Sequence, residues 1–317
     1  TATAEVLERR PGLFAGLIED GRHNEVCRNL AAAVEMNLRR FHQRGLTPYE
    51  GMLENEGNRR YLREKYSPQR EFTVSHLESY AACPFRSFVG ETMKIGPQGV
   101  PGLETDHLLR GTLLHELLSQ LHGELNQILE ERELDGDGIR EWIADRFEEL
   151  VRENFRSRIE VGGVIGTLRE IERDFLEEWG GPYSRQADVY EQITRKQFGS
   201  PMRPVRFELS FGYDRIRKVQ NDPLILGEGE SQVRLAGRID RIDLCQSEGT
   251  RNYGVVDYKS GGTPKCNSTT VGTGRELQLA VYAMAIEELG LLNEVIGPGE
   301  EAVLGHVGYW SLREDGF

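Results

Sequence analysis

Two short segments, Gly237-Arg238-Ile239-Asp240-Arg241-Ile242-Asp243 and Val255-Val256-Asp257-Tyr258-Lys259-Ser260-Gly261, constrain this chain more than any other feature. In each, aliphatic and β-branched residues alternate with polar ones, and Ser247-Glu248-Gly249-Thr250 between them supplies turn chemistry, so both read as neighbouring β-strands. Successive side chains of a strand point to opposite faces; Asp257 and Lys259 therefore share one face and Tyr258 takes the other. Asp240 on the adjoining strand adds a second carboxylate. Hard oxygen ligands of this kind suit Mg²⁺ or Mn²⁺, and a cation beside them suits a phosphate under attack. Asp243, three residues from Asp240, faces away in a regular strand and reads as a structural or salt-bridging residue. An acid-x-lysine pair at a strand end is most often a solvated surface pair, so the chemical reading depends on what accompanies it.

Its company is specific. A strongly periodic helical segment from about Asp106 to Glu131 contains Gly111-Thr112-Leu113-Leu114-His115, with the histidine among leucines. By itself such a histidine reads as a packed core residue, and the zinc-protease pattern fails because Ser119 stands four residues after His115. Downstream, Arg275 to Ile286 reads as an amphipathic helix with Gln278 and Tyr282 one turn apart on one face. Taken in order, Gly111-x-x-x-His115, Gly237-x-Ile239-Asp240, Asp257-Tyr258-Lys259 and Gln278-x-x-x-Tyr282 resemble the motifs of RecB-type nucleases of the PD-(D/E)XK superfamily. The segment Phe72 to Phe88, with Cys83-Pro84-Phe85 inside it, is similar to the one that opens the nuclease domain of AddB-type helicase–nuclease subunits. The resemblance covers about Phe72 to Phe317; Leu46-Thr47-Pro48-Tyr49-Glu50-Gly51 is more weakly similar to the end of the preceding helicase-like region.

The resemblance implies an α/β fold: a restriction-endonuclease-like core with a mixed central sheet flanked by helices. Residues 1–70 would be a helical segment ending a helicase-like region and residues 71–317 the nuclease domain, with a helical insertion at about 135–200. His115, Asp240 and Asp257 would ligate Mg²⁺ or Mn²⁺, with the Tyr258 carbonyl as a further oxygen. Asp240, Asp257 and Lys259 would be catalytic, Lys259 positioning or activating the attacking water, while Gln278 and Tyr282 hold the substrate strand and the lysine in register. Glu208, at the start of the sheet, is read as a supporting group behind the ligands. A histidine must be neutral to ligate, so metal binding should weaken below about pH 6 to 6.5. The implied activity is DNA phosphodiester hydrolysis, as an exonuclease beside a helicase in double-strand-break repair. The alternatives are a stand-alone single-strand exonuclease and a silent DNA-binding or scaffolding remnant.

Related AddB-type nucleases hold a [4Fe–4S] cluster with one cysteine before the core and three after it. Cys83 matches the first, and the other three are missing after Tyr282: either further cysteines exist in a longer protein and complete a cluster, or the cluster has been lost and Cys83 is a buried thiol. The chain begins with Thr1 and reads as a fragment. There is no Cys-x-x-Cys pair, no phosphate-binding Gly-x-x-x-x-Gly-Lys-[Ser/Thr], and no apolar run long enough for a membrane span, which points to a cytoplasmic protein without its own ATPase. The net charge of −13 is unusual for a nucleic-acid partner, but Arg234, Arg238, Arg241, Lys259, Lys265 and Arg275 cluster around the proposed site, where they could meet phosphates.

Overall fold

The computed structural model describes residues 16, 25–42, 52–96, 107–159, 163–247, 249–297, 300–312 and 316–317. The chain divides into two compact units, Thr1–Arg70 and Glu71–Phe317. The first contains α1 (Glu25–His42) and α2 (Glu56–Lys65). Asn55 caps α2 by accepting from Asn58 N, and Arg63 and Lys65 lie in its last turn, where the helix dipole favours cations. The segment Leu46 to Gly51 lies outside the described residues.

The second unit begins with β1 (Glu71–Thr73), α3 (Val74–Ala82) and α4 (Pro84–Ser87), followed by a π-turn at Phe88–Thr92. The long helix α5 spans His107–Glu131, and the stretch expected to be helical holds α6 (Gly136–Ile159), α7 (Val164–Glu177) and α8 (Gly180–Phe198). Then come β2 (Arg203–Phe211), β3 (Tyr213–Asp214), β4 (Val219–Gln220), β5 (Leu224–Leu226), β6 (Val233–Ser247) and β7 (Thr250–Lys259). The unit ends with α9 (Ser268–Gly272), α10 (Gln278–Glu288), α11 (Asn293–Ile296) and β8 (Ala302–Ser311). Strands β1, β3, β4 and β5 have no more than three residues each, too few for a periodicity to show in the sequence. No helix among the described residues is long and apolar enough to cross a membrane.

The sheet is mixed and organised around β6. Near its start β6 pairs with β1 in parallel and β5 antiparallel; further along it pairs antiparallel with β2 and β7, and β8 runs parallel to β7. Side chains of β7 alternate between two cores. Val256 and Tyr258 join Leu114, Leu118, Phe147 and Trp310 under the helices α5, α6 and α8, whereas Tyr253 and Val255 join Val281 and Ile286 of α10. The result is a sheet with helices on both faces, and burial of two apolar layers supplies its main driving force. Gly237 permits a close approach within the second layer, since a Cβ there would come within 2.6 Å of Phe211 Cζ and 3.1 Å of Tyr282 Cε1. At the end of the β6–β7 ladder the last registered pair is Arg241 with Val256. Asp240 and Asp257 are the next residues, where the two strands part.

Candidate active site

His115 reaches this point from α5. Gly111, one turn earlier, lies beside the end of β7, where a Cβ would meet Ser260 Oγ at 3.9 Å. The His115 Nδ1 is 3.3 Å from Asp240 Oδ1 and 3.3 Å from Glu208 Oε1. Ligand atoms of His115, Glu208 and Asp240 all lie within 4.8 Å of one another. Glu208 thus stands as close to His115 as Asp240 does, in the cluster itself rather than behind it. Its backbone explains why the strand pattern hid it. Glu208 has φ +49, left-handed for a residue with a side chain, and such a conformation costs of order 1–3 kcal/mol. The surroundings hold it there: Arg217 Nη1 donates to its carbonyl at 2.9 Å, and Arg238 Nε lies 2.9 Å from its Oε2.

Asp257 and Lys259 occupy the same face of β7, with their charges paired. Asp257 is 1 % exposed; its Oδ1 accepts from Gln278 Nε2 at 2.5 Å, and its Oδ2 accepts no hydrogen bond beyond that ion pair. Lys259 Nζ also donates to Gln278 Oε1 at 3.1 Å, so one amide of α10 grips both residues. Gln278 Nε2 in turn donates to Tyr282 OH at 3.0 Å, the contact that helical i,i+4 spacing allows. Asp240 joins the two groups: its Oδ2 accepts from Tyr258 N at 2.9 Å while its Oδ1 faces His115. The Tyr258 ring points into the opposite core, where its hydroxyl meets Tyr183 OH and Arg241 Nη1.

Glu78 is a contributor the sequence did not identify. From α3 its Oε1 accepts from Leu277 N at 2.7 Å and Gln278 N at 3.1 Å, capping α10 where Leu277 offers no side-chain cap of its own. The only local signal is Ser75-x-x-Glu78, which reads as a capping box within its own helix.

Three carboxylates, Asp240, Asp257 and Glu208, crowd the site and act on one another and on its cations. Burial, followed by the charge of Asp240, pushes the Asp257 carboxyl up to about 7, although Lys259 and His115 oppose the shift. Burial acts to lower His115, yet its hydrogen bonds to Asp240 and Glu208 outweigh that and push it up to about 10. A metal-free His115 therefore holds its proton far more firmly than an ordinary imidazole, and the onset near pH 6 expected from the sequence moves upward. Two carboxylates and an imidazole within reach of one atom, with a buried Asp257 oxygen short of hydrogen bonds beside them, fit a small divalent cation.

The basic residues around the site divide. Arg241 is 2 % exposed and forms two hydrogen bonds with Asp243, at 2.6 and 2.7 Å, between the rings of Tyr190 and Trp310. It cannot meet a phosphate, because its strand neighbours turn it into the core; Asp243 is its salt-bridge partner. Arg238 is committed to Glu208, while Lys265 and Arg275 are exposed. Cys83 and Cys266 are exposed free thiols, so the reading of Cys83 as a buried thiol does not hold, and Cys245 is the buried one.

The family model of the PD-(D/E)XK nuclease superfamily matches residues 71–315. The chain is similar to a subunit of the ATP-dependent helicase/deoxyribonuclease of Caldanaerobacter subterraneus subsp. tengcongensis, 31 % identical over 228 residues, which are 72 % of this chain and 18 % of that protein. It is 30 % identical over 255 residues to the protein of the same name from Clostridium novyi, covering 80 % of this chain and 21 % of the relative. For the Clostridium tetani protein the identity is 27 % over 230 residues, 72 % of this chain and 18 % of the relative. The chain thus spans about a fifth of the length of the curated relatives it matches. With a match over all but the last two residues of the second unit, whose sheet, helices and site have just been described, the chain belongs to the PD-(D/E)XK nuclease superfamily.

Proposed function

We propose that this chain is a deoxyribonuclease that hydrolyses DNA phosphodiesters with Mg²⁺ or Mn²⁺, working as an exonuclease within a helicase–nuclease assembly in double-strand-break repair. The observation that carries the reading is the meeting of His115, Glu208 and Asp240 with the Asp257, Lys259 and Gln278 clamp where β6 and β7 part. His115, Asp240, Glu208 and Asp257 would hold the metal, with the Tyr258 carbonyl as a further oxygen. A divalent cation held there would make a water acidic enough to attack near neutral pH and would offset charge on the phosphoryl oxygens. Lys259 orients the attacking water and sets a fixed positive charge against the phosphate. Gln278 keeps Lys259 and Asp257 at constant spacing, and Tyr282 fixes the Gln278 side chain.

The proposed setting rests on the names of the relatives, helicase/deoxyribonuclease subunits, and makes a helicase the partner and the cytoplasm the place of action. Residues 1–70 would then be the end of a helicase-like region and residues 71–317 the nuclease domain. Cys83 would be a cluster ligand only in a longer protein that supplies three more.

Digestion of end-labelled single- and double-stranded DNA, with Mg²⁺, Mn²⁺ or EDTA, tests the reading against Lys259→Ala. Metal-dependent cleavage that falls at least about 100-fold in the variant is expected, on the scale of losing one preorganised charge-stabilising group. Cleavage indifferent to Lys259 sinks the assigned roles. No cleavage with either metal, by a chain that still takes up Mn²⁺, would favour the silent remnant.

A further inference from the structure

We propose that the hairpin of β3 and β4, Tyr213–Gln220, is a docking ribbon for a single strand of DNA entering or leaving the site. The inference rests on the proposed function and adds the surface that grips the substrate away from the reacting phosphate. The hairpin directly follows β2, the strand that carries Glu208, and it is tied back to that strand. Arg217 Nη1 donates to the Glu208 carbonyl at 2.9 Å, and Ser210 Oγ donates to Asp214 Oδ2. Asp214 Oδ1 accepts from Ile216 N at 2.8 Å and Arg217 N at 3.0 Å, which closes the tip, while Tyr213 N donates to Glu71 Oε2 at 2.6 Å. A ribbon already fixed loses little conformational freedom when a ligand arrives.

Its outer surface has the opposite sign to the chain as a whole, whose net charge is −13. Arg215, Arg217 and Lys218 are exposed, and the single acid among them, Asp214, is buried and turned inward to its own hairpin. Between the cations stand apolar side chains that the described residues leave partly open: Ile216 is 62 % exposed, Val219 49 % and Tyr213 46 %. Cations interleaved with exposed apolar and aromatic groups match an unpaired strand, which offers phosphates and free base faces together. A duplex hides its base faces and has no use for Tyr213 and Ile216. The ribbon also stands beside the candidate metal ligands, because Arg217 holds Glu208 in place. A strand lying along it would keep its next phosphates on Arg215 and Lys218 while one phosphate occupied the site.

Fluorescence anisotropy of labelled single-stranded DNA, in EDTA and across a salt series from about 50 to 200 mM, tests this with the full chain, Arg215→Ala/Lys218→Ala and Tyr213→Ala. The double variant is expected to bind more weakly and to lower the salt slope by about 1.4, two phosphate contacts at about 0.7 each on a single strand. Tyr213→Ala should weaken binding of single strands several-fold or more without changing the slope, and leave duplex binding untouched. Should the double alanine variant lose cooperative melting, Arg215→Gln/Lys218→Gln takes its place. Unchanged affinity and slope in a chain that binds and cuts DNA overturn the hairpin proposal and leave the nuclease reading standing. Duplex preferred over single strands overturns the single-strand assignment. A wild-type chain that neither binds nor cuts DNA overturns both.

Discussion

Gln278 shows how much one residue of this site is asked to do. Its amide oxygen accepts from Lys259 and its nitrogen donates to Asp257 and Tyr282, so its position sets the distance between the acid and the lysine. That position is anchored by Glu78, which accepts from the backbone N–H groups of Leu277 and Gln278. We expect Glu78→Ala to cost about 1 kcal/mol of stability, as lost helix caps do, and to lower kcat more than it raises KM. Glu78→Gln, which keeps the acceptor, should restore most of both; denaturant melts and steady-state cleavage read the two effects. A purely structural Glu78 would show the stability loss with no change in kcat per folded molecule. The sequence could not announce this role, because the bonded partners are 199 and 200 residues away and nothing local distinguishes Glu78 from a cap of its own helix.

Among the elements, β6 carries the greatest burden, because its fifteen residues serve both the site and the core. Asp240 faces His115, while Arg241 and Asp243, on the opposite face of the strand, form an ion pair sealed under α8, where Tyr190 OH donates to Asp243 Oδ2 at 2.6 Å. Breaking a buried pair leaves one charge without a partner. Asp243→Asn should therefore cost about 3–5 kcal/mol in equilibrium unfolding, whereas Arg241→Met/Asp243→Leu should cost markedly less. Equal losses for the single and the double variant would refute a charge-pair origin. Strand parity foretold that Asp243 leaves the face of Asp240, yet it could not tell that Arg241 is buried; in the sequence Arg241 and Arg238 look alike. Burial is settled by which helix covers which face, and α5, α6 and α8 come from a stretch more than thirty residues upstream of β6.

For the molecule as a whole, the helical layer brings a titration with it. His122 of α5 is buried against Tyr183, with its Nδ1 lacking a hydrogen bond, and burial, helped by Arg241 and Arg203, holds its pKa well below the usual imidazole range. The unfolded chain binds this proton near pH 6.5 and the folded chain does so only at lower pH, so stability is lost as pH falls through about 6.5 and below, by up to about 1.4 kcal/mol per pH unit. His122→Phe should lessen the drop in melting temperature between about pH 7 and pH 5 relative to wild type; an identical drop would remove His122 as the cause. The same layer shows where reading a sequence stops. Period-two alternation put Asp257 and Lys259 on one face, and i,i+4 spacing put Gln278 beside Tyr282, because a residue's direction relative to its own element is a local property of the backbone. The identity of the chemical groups and their order along the chain were likewise readable, and with them the mixed sheet flanked by helices. The entry of Glu208 into the cluster, the withdrawal of Arg241 from it and the reach of Glu78 to α10 were decided only in three dimensions. Each depends on a left-handed backbone turn or on contact between elements far apart in sequence, and packing across the sheet alone fixes which of those contacts is made.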